Sequence, residues 1–172
     1  MRFQLLLIPP ALIAPAVVQA ANYLTLEQAQ QAIFPGETFT PADLVLGKEQ
    51  VEELLRVSRS PVLRSRVRAW KTSGGGWFVL DQVYGRDDRI TYVIGIDASG
   101  AVRGIEILVC DSGYEGIRNP RWLGQFYGAT HAVAGAMAGT IANISGTTLS
   151  VEHITEGVRR VLATHALYLS RG

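Results

Sequence analysis

Residues 77–110 read WFVLDQVYGRDDRITYVIGIDASGAVRGIEILVC, and this stretch decides the fold class. Its three segments at 77–84, 89–97 and 101–110 are rich in Val, Ile, Tyr and Phe, which favour strands. Only four residues, 85–88, join the first pair, and the equally short turn 97–100 joins the second. Connections this short allow only antiparallel neighbours, so the sequence predicts an antiparallel meander.

Upstream of this meander, two helices are predicted. Thr25 and Gln28 have the spacing of a capping box before an apolar helical pattern that Pro35 and Gly36 end. Residues 48–58 carry acidic residues early and apolar residues at helical spacing, which indicates a second helix.

Between the second helix and the meander, residues 63–70 alternate apolar side chains with Arg64, Arg66 and Arg68. This alternation is typical of a half-exposed strand, and we interpret it as a solvated sheet edge. Trp70 and Trp77, both on predicted strands, are expected in the core.

Downstream of the meander, residues 151–169 have the apolar spacing of a long helix. Ser150 is predicted as its N-cap and Glu152 as an acidic residue of its first turn. The predicted fold class is α+β, an antiparallel β-meander packed with N-terminal helices and a long C-terminal helix.

The first residues indicate export. Arg2 precedes an apolar run at 5–14, and the small-x-small sequence Val18-Gln19-Ala20 follows. This is the pattern of a secretory signal peptide. We therefore expect residues 1–20 to be cleaved, residues 21–172 to form a single domain, and the mature chain to have no membrane span.

Composition argues against several classes of function. The chain has 16 basic and 15 acidic residues and a net charge of +1, which excludes nucleic acid and an anionic membrane surface as main partners. Its one cysteine, Cys110, is expected to be a small buried residue, and the three histidines lack metal-ligand spacing. Neither a catalytic triad nor a phosphate-binding loop is recognisable, so no residue is assigned a catalytic role and no metal site is predicted.

Two segments could bind a ligand. Residues 111–127 read as an irregular loop dense in glycine and aromatics, a composition that often lines ligands but also covers the end of a sheet. Residues 145–150 read SGTTLS and enter the last helix, where unpaired N–H groups and the helix dipole favour a phosphate. The alternative is that residues 145–150 only cap the helix.

Ser145-Gly146-Thr147-Thr148-Leu149-Ser150 and the helix after it resemble the FMN-binding domain of the periplasmic flavin subunits of the Rnf complex and the sodium-pumping NADH:quinone oxidoreductase. The family pattern is Ser-Gly-Ala-Thr-x-Thr/Ser. The segments Tyr114-Glu115-Gly116 and Trp122-x-x-Gln125-Phe126 are also similar to family segments that precede the attachment site. Two departures stand out: Thr147 replaces the usual alanine, and Ala142 and Asn143 stand where an acidic residue is common.

The resemblance implies covalent FMN, attached to Thr148 as a phosphoester by a flavin transferase. It assigns Ser145, Gly146, Thr147, Leu149 and Ser150 to the same cofactor site. In the upstream loop we expect Tyr114, Trp122 and Phe126 to form walls around the flavin ring, Gly116 to allow close backbone approach, and Glu115 to form a hydrogen bond or to orient the loop.

The function that this resemblance implies is periplasmic electron transfer with a redox partner protein, which could itself be membrane-bound. The flavin would perform the redox steps, so an electron carrier is favoured over a stand-alone substrate-converting enzyme. Two alternatives remain: a flavin-free periplasmic binding or interaction module, and an accessory protein whose flavin is only structural.

Overall fold

The computed structural model describes residues 21–22, 24–85, 89–110, 115–144 and 148–171, and an antiparallel sheet organises them. The strands are β1 (Ala21–Asn22), β2 (Phe39–Pro41), β3 (Leu44–Val45), β4 (Arg66–Thr72), β5 (Trp77–Tyr84), β6 (Arg89–Ile96) and β7 (Val102–Cys110). Six of them lie in the order β1-β7-β6-β5-β4-β2, while β3 pairs with β4. The predicted meander is confirmed as β5, β6 and β7.

Strand β4 is not the sheet edge that its arginines suggested. It pairs with β5 on one side and with β2 and β3 on the other. The side chains of Arg66 and Arg68 are exposed as expected. The edge prediction was wrong because β2 and β3 are two or three residues long and come from a segment with no strand pattern of its own.

The helices confirm the α+β class. They are α1 (Leu26–Ile33), α2 (Lys48–Ser58), α3 (Pro120–Leu123), α4 (His131–Ala134), α5 (Met137–Thr140) and α6 (Thr148–Thr164), which continues as a π-helical turn at His165–Leu169. The Thr25 capping box is present with both of its hydrogen bonds. Residues 111–127 were predicted to form an irregular loop. Their described part folds instead into α3 and the 3₁₀ turns Glu115–Arg118 and Gly124–Phe126.

Helices cover both faces of the sheet. The main core lies between the sheet and α6 and contains Trp77, while α1 covers the opposite face in a smaller cluster that contains Trp70. Both tryptophans are buried, as predicted, and so is Cys110. In the described part of the chain, none of the helices has the length and apolar character required to cross a bilayer.

A partly buried ion pair and a glycine hold α6 against β5 and β6. Arg160 donates to Asp81 Oδ2 at 2.6 Å, and the hydroxyl of Tyr92 donates to the same oxygen at 2.5 Å. Burial raises the pKa of Tyr92 well above its usual value, so this hydroxyl keeps its proton. One helical turn before Arg160, Gly157 lies so close to Tyr92 that an added Cβ would be 2.1 Å from the tyrosine oxygen.

The other end of α6 buries a histidine. His165 is 9% exposed and makes an edge contact with Trp77, with ring centroids 6.5 Å apart. Burial lowers the pKa of His165 below its usual value of 6.5, and the nearby Asp97 opposes this only in part. The folded protein therefore holds His165 neutral under conditions in which the unfolded chain begins to protonate it.

We expect this histidine to make folding stability dependent on pH. Because its folded pKa is lower than its unfolded pKa, the contribution of neutral His165 is complete above about pH 6.5 and is lost as the pH falls through the folded value. Urea unfolding between pH 7.5 and pH 5 should show stability decreasing with acidification, and His165→Gln should flatten that decrease. Equal pH slopes in the two proteins would contradict this assignment.

Candidate functional site

The predicted anchor, Thr148, is the first residue of α6, and its side chain is exposed. Helix α6 has 17 residues. Its first turn, which begins at Thr148, carries the unpaired N–H groups and the positive end of the helix dipole. Ser145, Gly146 and Thr147, which complete the predicted motif, lie outside the described residues. The neighbouring Leu149 is 45% exposed.

Two details of the helix start were predicted wrongly. Since α6 begins at Thr148, Ser150 is its third residue and not its N-cap, and it is 1% exposed. For the same reason Glu152 lies beyond the first turn. Val151 is buried in the main core, so packing of this turn against the sheet extends the helix beyond the apolar periodicity from which its start was predicted.

A cavity of about 290 Å³ opens beside the first turns of α6. Its lining comes from one face of α6 and from the segment before the motif: Ile141, Asn143, Val151, Glu152, Thr155, Glu156 and Arg159. Glu152, Thr155 and Arg159 follow Thr148 by four, seven and eleven residues, which places all of them on the face that carries Thr148. The volume is near the lower limit for small-molecule sites.

Arg159 supplies the positive charge in the lining of this cavity. Its guanidinium donates to the carbonyl oxygen of Ser58 at 2.8 Å and to that of Arg59 at 3.2 Å. These bonds to the end of α2 hold the guanidinium in place while it borders the cavity. Glu152 and Glu156 give the same cavity two carboxylates, so its lining has charges of both signs.

Two side chains of the Trp-x-x-Gln-Phe segment form hydrogen bonds to the chain just before residues 145–150. The indole Nε1 of Trp122 donates to the carbonyl oxygen of Ala142 at 2.9 Å. The amide oxygen of Gln125 accepts from the N–H of Ala142 at 2.8 Å, and the Gln125 Nε2 donates to the carbonyl oxygen of Trp122. Both polar groups of the Ala142 backbone are thereby held, which positions the adjacent Asn143 in the lining of the cavity.

The predicted ring walls lie elsewhere. Trp122 and Phe126 are 4% and 0% exposed in the main core, with ring centroids 5.3 Å apart, and neither lines the cavity beside α6. Gly116 is half-buried in a 3₁₀ turn. Glu115 contributes backbone to that turn, while its side chain and Tyr114 lie outside the described residues.

Sequence reasoning missed the residues that line the cavity. Asn143, Thr155 and Arg159 carry no motif, and the signal that could have found them is helical spacing counted forward from Thr148. Gln125 was part of the family resemblance but was not chosen as a site residue. Its contact with Ala142 spans 17 residues, which local spacing does not reveal.

These features fit a phosphate group attached at Thr148. Thr148 presents its side chain to solvent, the start of α6 suits a phosphate, and the adjacent cavity offers a bordering guanidinium. No group of three or more His, Cys, Asp or Glu residues that could hold a metal ion is present among the described residues.

Comparison of the chain with protein-family models, with curated proteins and with solved structures found no match.

Proposed function

We propose that this protein is an exported electron carrier that holds FMN covalently through a phosphoester on Thr148. The single observation that carries the proposal is the position of Thr148, exposed at the first residue of α6 and on the helix face that lines a cavity. The resemblance of residues 145–150 to the FMN-binding family supplies the identity of the cofactor.

The attachment has to be made by another enzyme. A threonine hydroxyl is a weak nucleophile unless a base activates it, and the described lining of the cavity contains no histidine or cysteine that could do so. A flavin transferase is therefore the maturation partner, and Thr148 is an anchor and not a catalyst. For an exported protein, the covalent bond prevents loss of the cofactor and keeps its local concentration high.

The chain's own residues would then bind and orient the group. The unpaired N–H groups at the start of α6 would stabilise the phosphate, and Arg159 would stabilise negative charge within the cavity. Trp122 and Gln125 would keep Asn143 in place through their hydrogen bonds to Ala142. Bound flavin supplies one-electron and two-electron redox chemistry, and a partner protein exchanges those electrons.

We expect Thr148→Ala to abolish flavin attachment completely, because no other residue would carry the phosphoester. The measurement is the intact mass and the visible absorbance of protein purified from its own host's periplasm, before and after denaturation. The unaltered protein should carry the mass of one FMN minus water and stay yellow through denaturation. Thr147→Ala, which alters the adjacent threonine, is the matched control and should stay flavinylated.

Other results would overturn all or part of the proposal. A colourless, unmodified native protein would remove the flavin and favour a periplasmic binding module. Loss of flavin in Thr147→Ala with retention in Thr148→Ala would move the anchor by one residue. A tethered flavin whose spectrum does not change reversibly on reduction would indicate a structural cofactor and not an electron carrier.

A further inference from the structure

A second cavity, of about 90 Å³, lies in a split between β4 and β5. These two strands pair only as far as Arg68 and Leu80. Beyond that point β4 pairs with β3 at Arg66, whereas β5 pairs with β6 as far as Tyr84. The end of β5 therefore has a paired strand on one side only, and the cavity occupies the other side.

Side chains of α6 take the place of β4 along this open end of β5. Arg160 donates to the carbonyl oxygen of Gln82 at 3.2 Å, and His153 donates from Nδ1 to the carbonyl oxygen of Tyr84. An unpaired strand edge invites pairing with a further strand, and covering its carbonyl oxygens opposes that pairing. The split is therefore kept as a cavity and not as a site for an added strand.

The interior of this cavity is apolar. Its walls include Leu46, Leu54, Val79, Val83 and Val161, each of which is at most 4% exposed. The volume is well below the roughly 300 Å³ at which small-molecule sites begin. The cavity therefore suits a single apolar side chain of a larger molecule better than it suits a free ligand.

Two large apolar side chains at the rim of the cavity remain in contact with solvent. Leu63 is 42% exposed and Tyr84 is 57% exposed, and both border the cavity. Neighbouring exposed apolar groups are typical of protein–protein contacts. In such contacts a side chain that fills a central pocket often contributes much of the binding energy, and polar groups surround it.

The polar groups around this cavity are mainly arginines. Arg64, Arg66 and Arg68 border it on the β4 side and Arg89 borders it at the start of β6, and all four are exposed. In the described part of the chain, Arg66 is the only one of the four with an ion pair, to Asp43 at 3.8 Å. The other three guanidinium groups are left for a partner from outside the chain.

The carboxylates nearby leave the rim with an excess of positive charge. Asp81, the one carboxylate among the described lining residues, is bonded to Arg160 at 2.6 Å, and the charge of Glu156 acts on the same guanidinium. Residues 86–88 contain one arginine and two aspartates, so their sequence contributes a net charge of −1. Counted against the three arginines that have no ion pair, this charge leaves two of them uncompensated.

We propose that this cavity is the docking site of a partner protein, which inserts an apolar side chain flanked by acidic residues. The inserted side chain fills the space between β4 and β5, and the acidic residues pair with Arg64, Arg68 and Arg89. Opposite charges across an interface steer the encounter and fix its orientation. The proposal does not involve flavin, so it stands or fails separately from the function assigned to Thr148.

The experiment is an NMR titration of the purified protein with the peptide Glu-Glu-Leu-Glu-Glu, acetylated and amidated at its ends. We expect saturable binding that weakens as salt is added, because salt screens exposed charges. Two matched peptides separate the two parts of the proposal. Gln-Gln-Leu-Gln-Gln lacks the charges and Glu-Glu-Ala-Glu-Glu lacks the apolar anchor, and each should bind about tenfold more weakly.

On the protein side, the double variant Arg64→Gln/Arg68→Gln should bind Glu-Glu-Leu-Glu-Glu about tenfold more weakly than the parent protein. The matched control is Arg121→Gln/Arg171→Gln, which removes the same charge from two exposed arginines outside the lining. It should bind like the parent protein. Absence of saturable binding to the parent, equal affinity for the three peptides, or equal affinity in the two double variants would overturn the proposal.

A nitroxide label on the peptide locates the site in the parent protein without any substitution. It should broaden the backbone amide signals of residues 79–84 more than those of α3, which packs against β7 on the other side of the sheet order. Uniform broadening of both sets would contradict docking at the split.

A second copy of this chain is the alternative occupant, and sedimentation velocity tests it. The parent protein and Arg64→Gln/Arg68→Gln should sediment alike, because the proposed partner is a different protein. Self-association of the parent that this double variant abolishes would assign the cavity to a second copy and refute the proposal.

Discussion

Gly157→Ala should lower the free energy of unfolding by about 3 kcal/mol, the upper part of the range for overpacked cores. The added Cβ would lie 2.1 Å from the Tyr92 hydroxyl oxygen and 2.8 Å from Val83 Cγ1, so either α6 or the sheet must move. In an unconstrained helix, replacing glycine by alanine stabilises the helix by about 1 kcal/mol. A loss of stability in Gly157→Ala would therefore show that close packing outweighs helix propensity. Urea unfolding followed by circular dichroism measures it.

A matched substitution separates packing from helix propensity. Gly139 lies in α5 and has no atom within 4 Å of an added Cβ, so Gly139→Ala should be neutral or slightly stabilising. Adding Tyr92→Phe to Gly157→Ala removes the closest atom, and the double variant should be more stable than the sum of the two single effects. If Gly157→Ala were as stable as the parent protein, the close approach of α6 to β6 would be refuted.

Arg160→Met should lower the free energy of unfolding by about 3 kcal/mol, the lower end of the range for a broken buried ion pair, because it leaves the half-buried Asp81 carboxylate without its charged partner. The Arg160 side chain is 7% exposed and that of Asp81 is 21% exposed. Besides Asp81, Arg160 donates to the carbonyl oxygens of Pro61 at 2.5 Å and Gln82 at 3.2 Å. This one side chain therefore joins α6 to the segment that follows α2 and to β5. Methionine keeps the apolar stem but satisfies none of these acceptors.

An exposed ion pair provides the control for Arg160. Lys48 and Glu52 are 4.0 Å apart on α2, with side chains 90% and 66% exposed, so Glu52→Gln should cost less than about 0.5 kcal/mol. Adding Asp81→Asn to Arg160→Met removes the unpaired charge and should recover part of the lost stability. Similar small losses in Arg160→Met and Glu52→Gln would show that Asp81 reaches solvent without its partner.

Parts of the candidate site could be predicted from the sequence. Residues 145–150 were singled out because a Ser/Gly/Thr-rich turn before a helical pattern is a local feature, and the family resemblance pointed to Thr148 within them. The structure has Thr148 as the first residue of α6. The residues predicted as ring walls have no such local signal. An aromatic residue in a glycine-rich segment has the same sequence signature whether it faces a ligand or the core, and Trp122 and Phe126 face the core.

Sequence by itself determined the elements that depend on near neighbours: the meander of β5, β6 and β7, the capping box of α1 and the bounds of α2. Tertiary structure alone decided which long-range contacts form. Strands β2 and β3 exist because β4 offers them hydrogen-bonding partners. Gln125 meets Ala142 because the short helices between them bring the two residues together. The physical reason is that periodicity and capping act over about one helical turn, whereas pairing and packing join residues far apart in the chain.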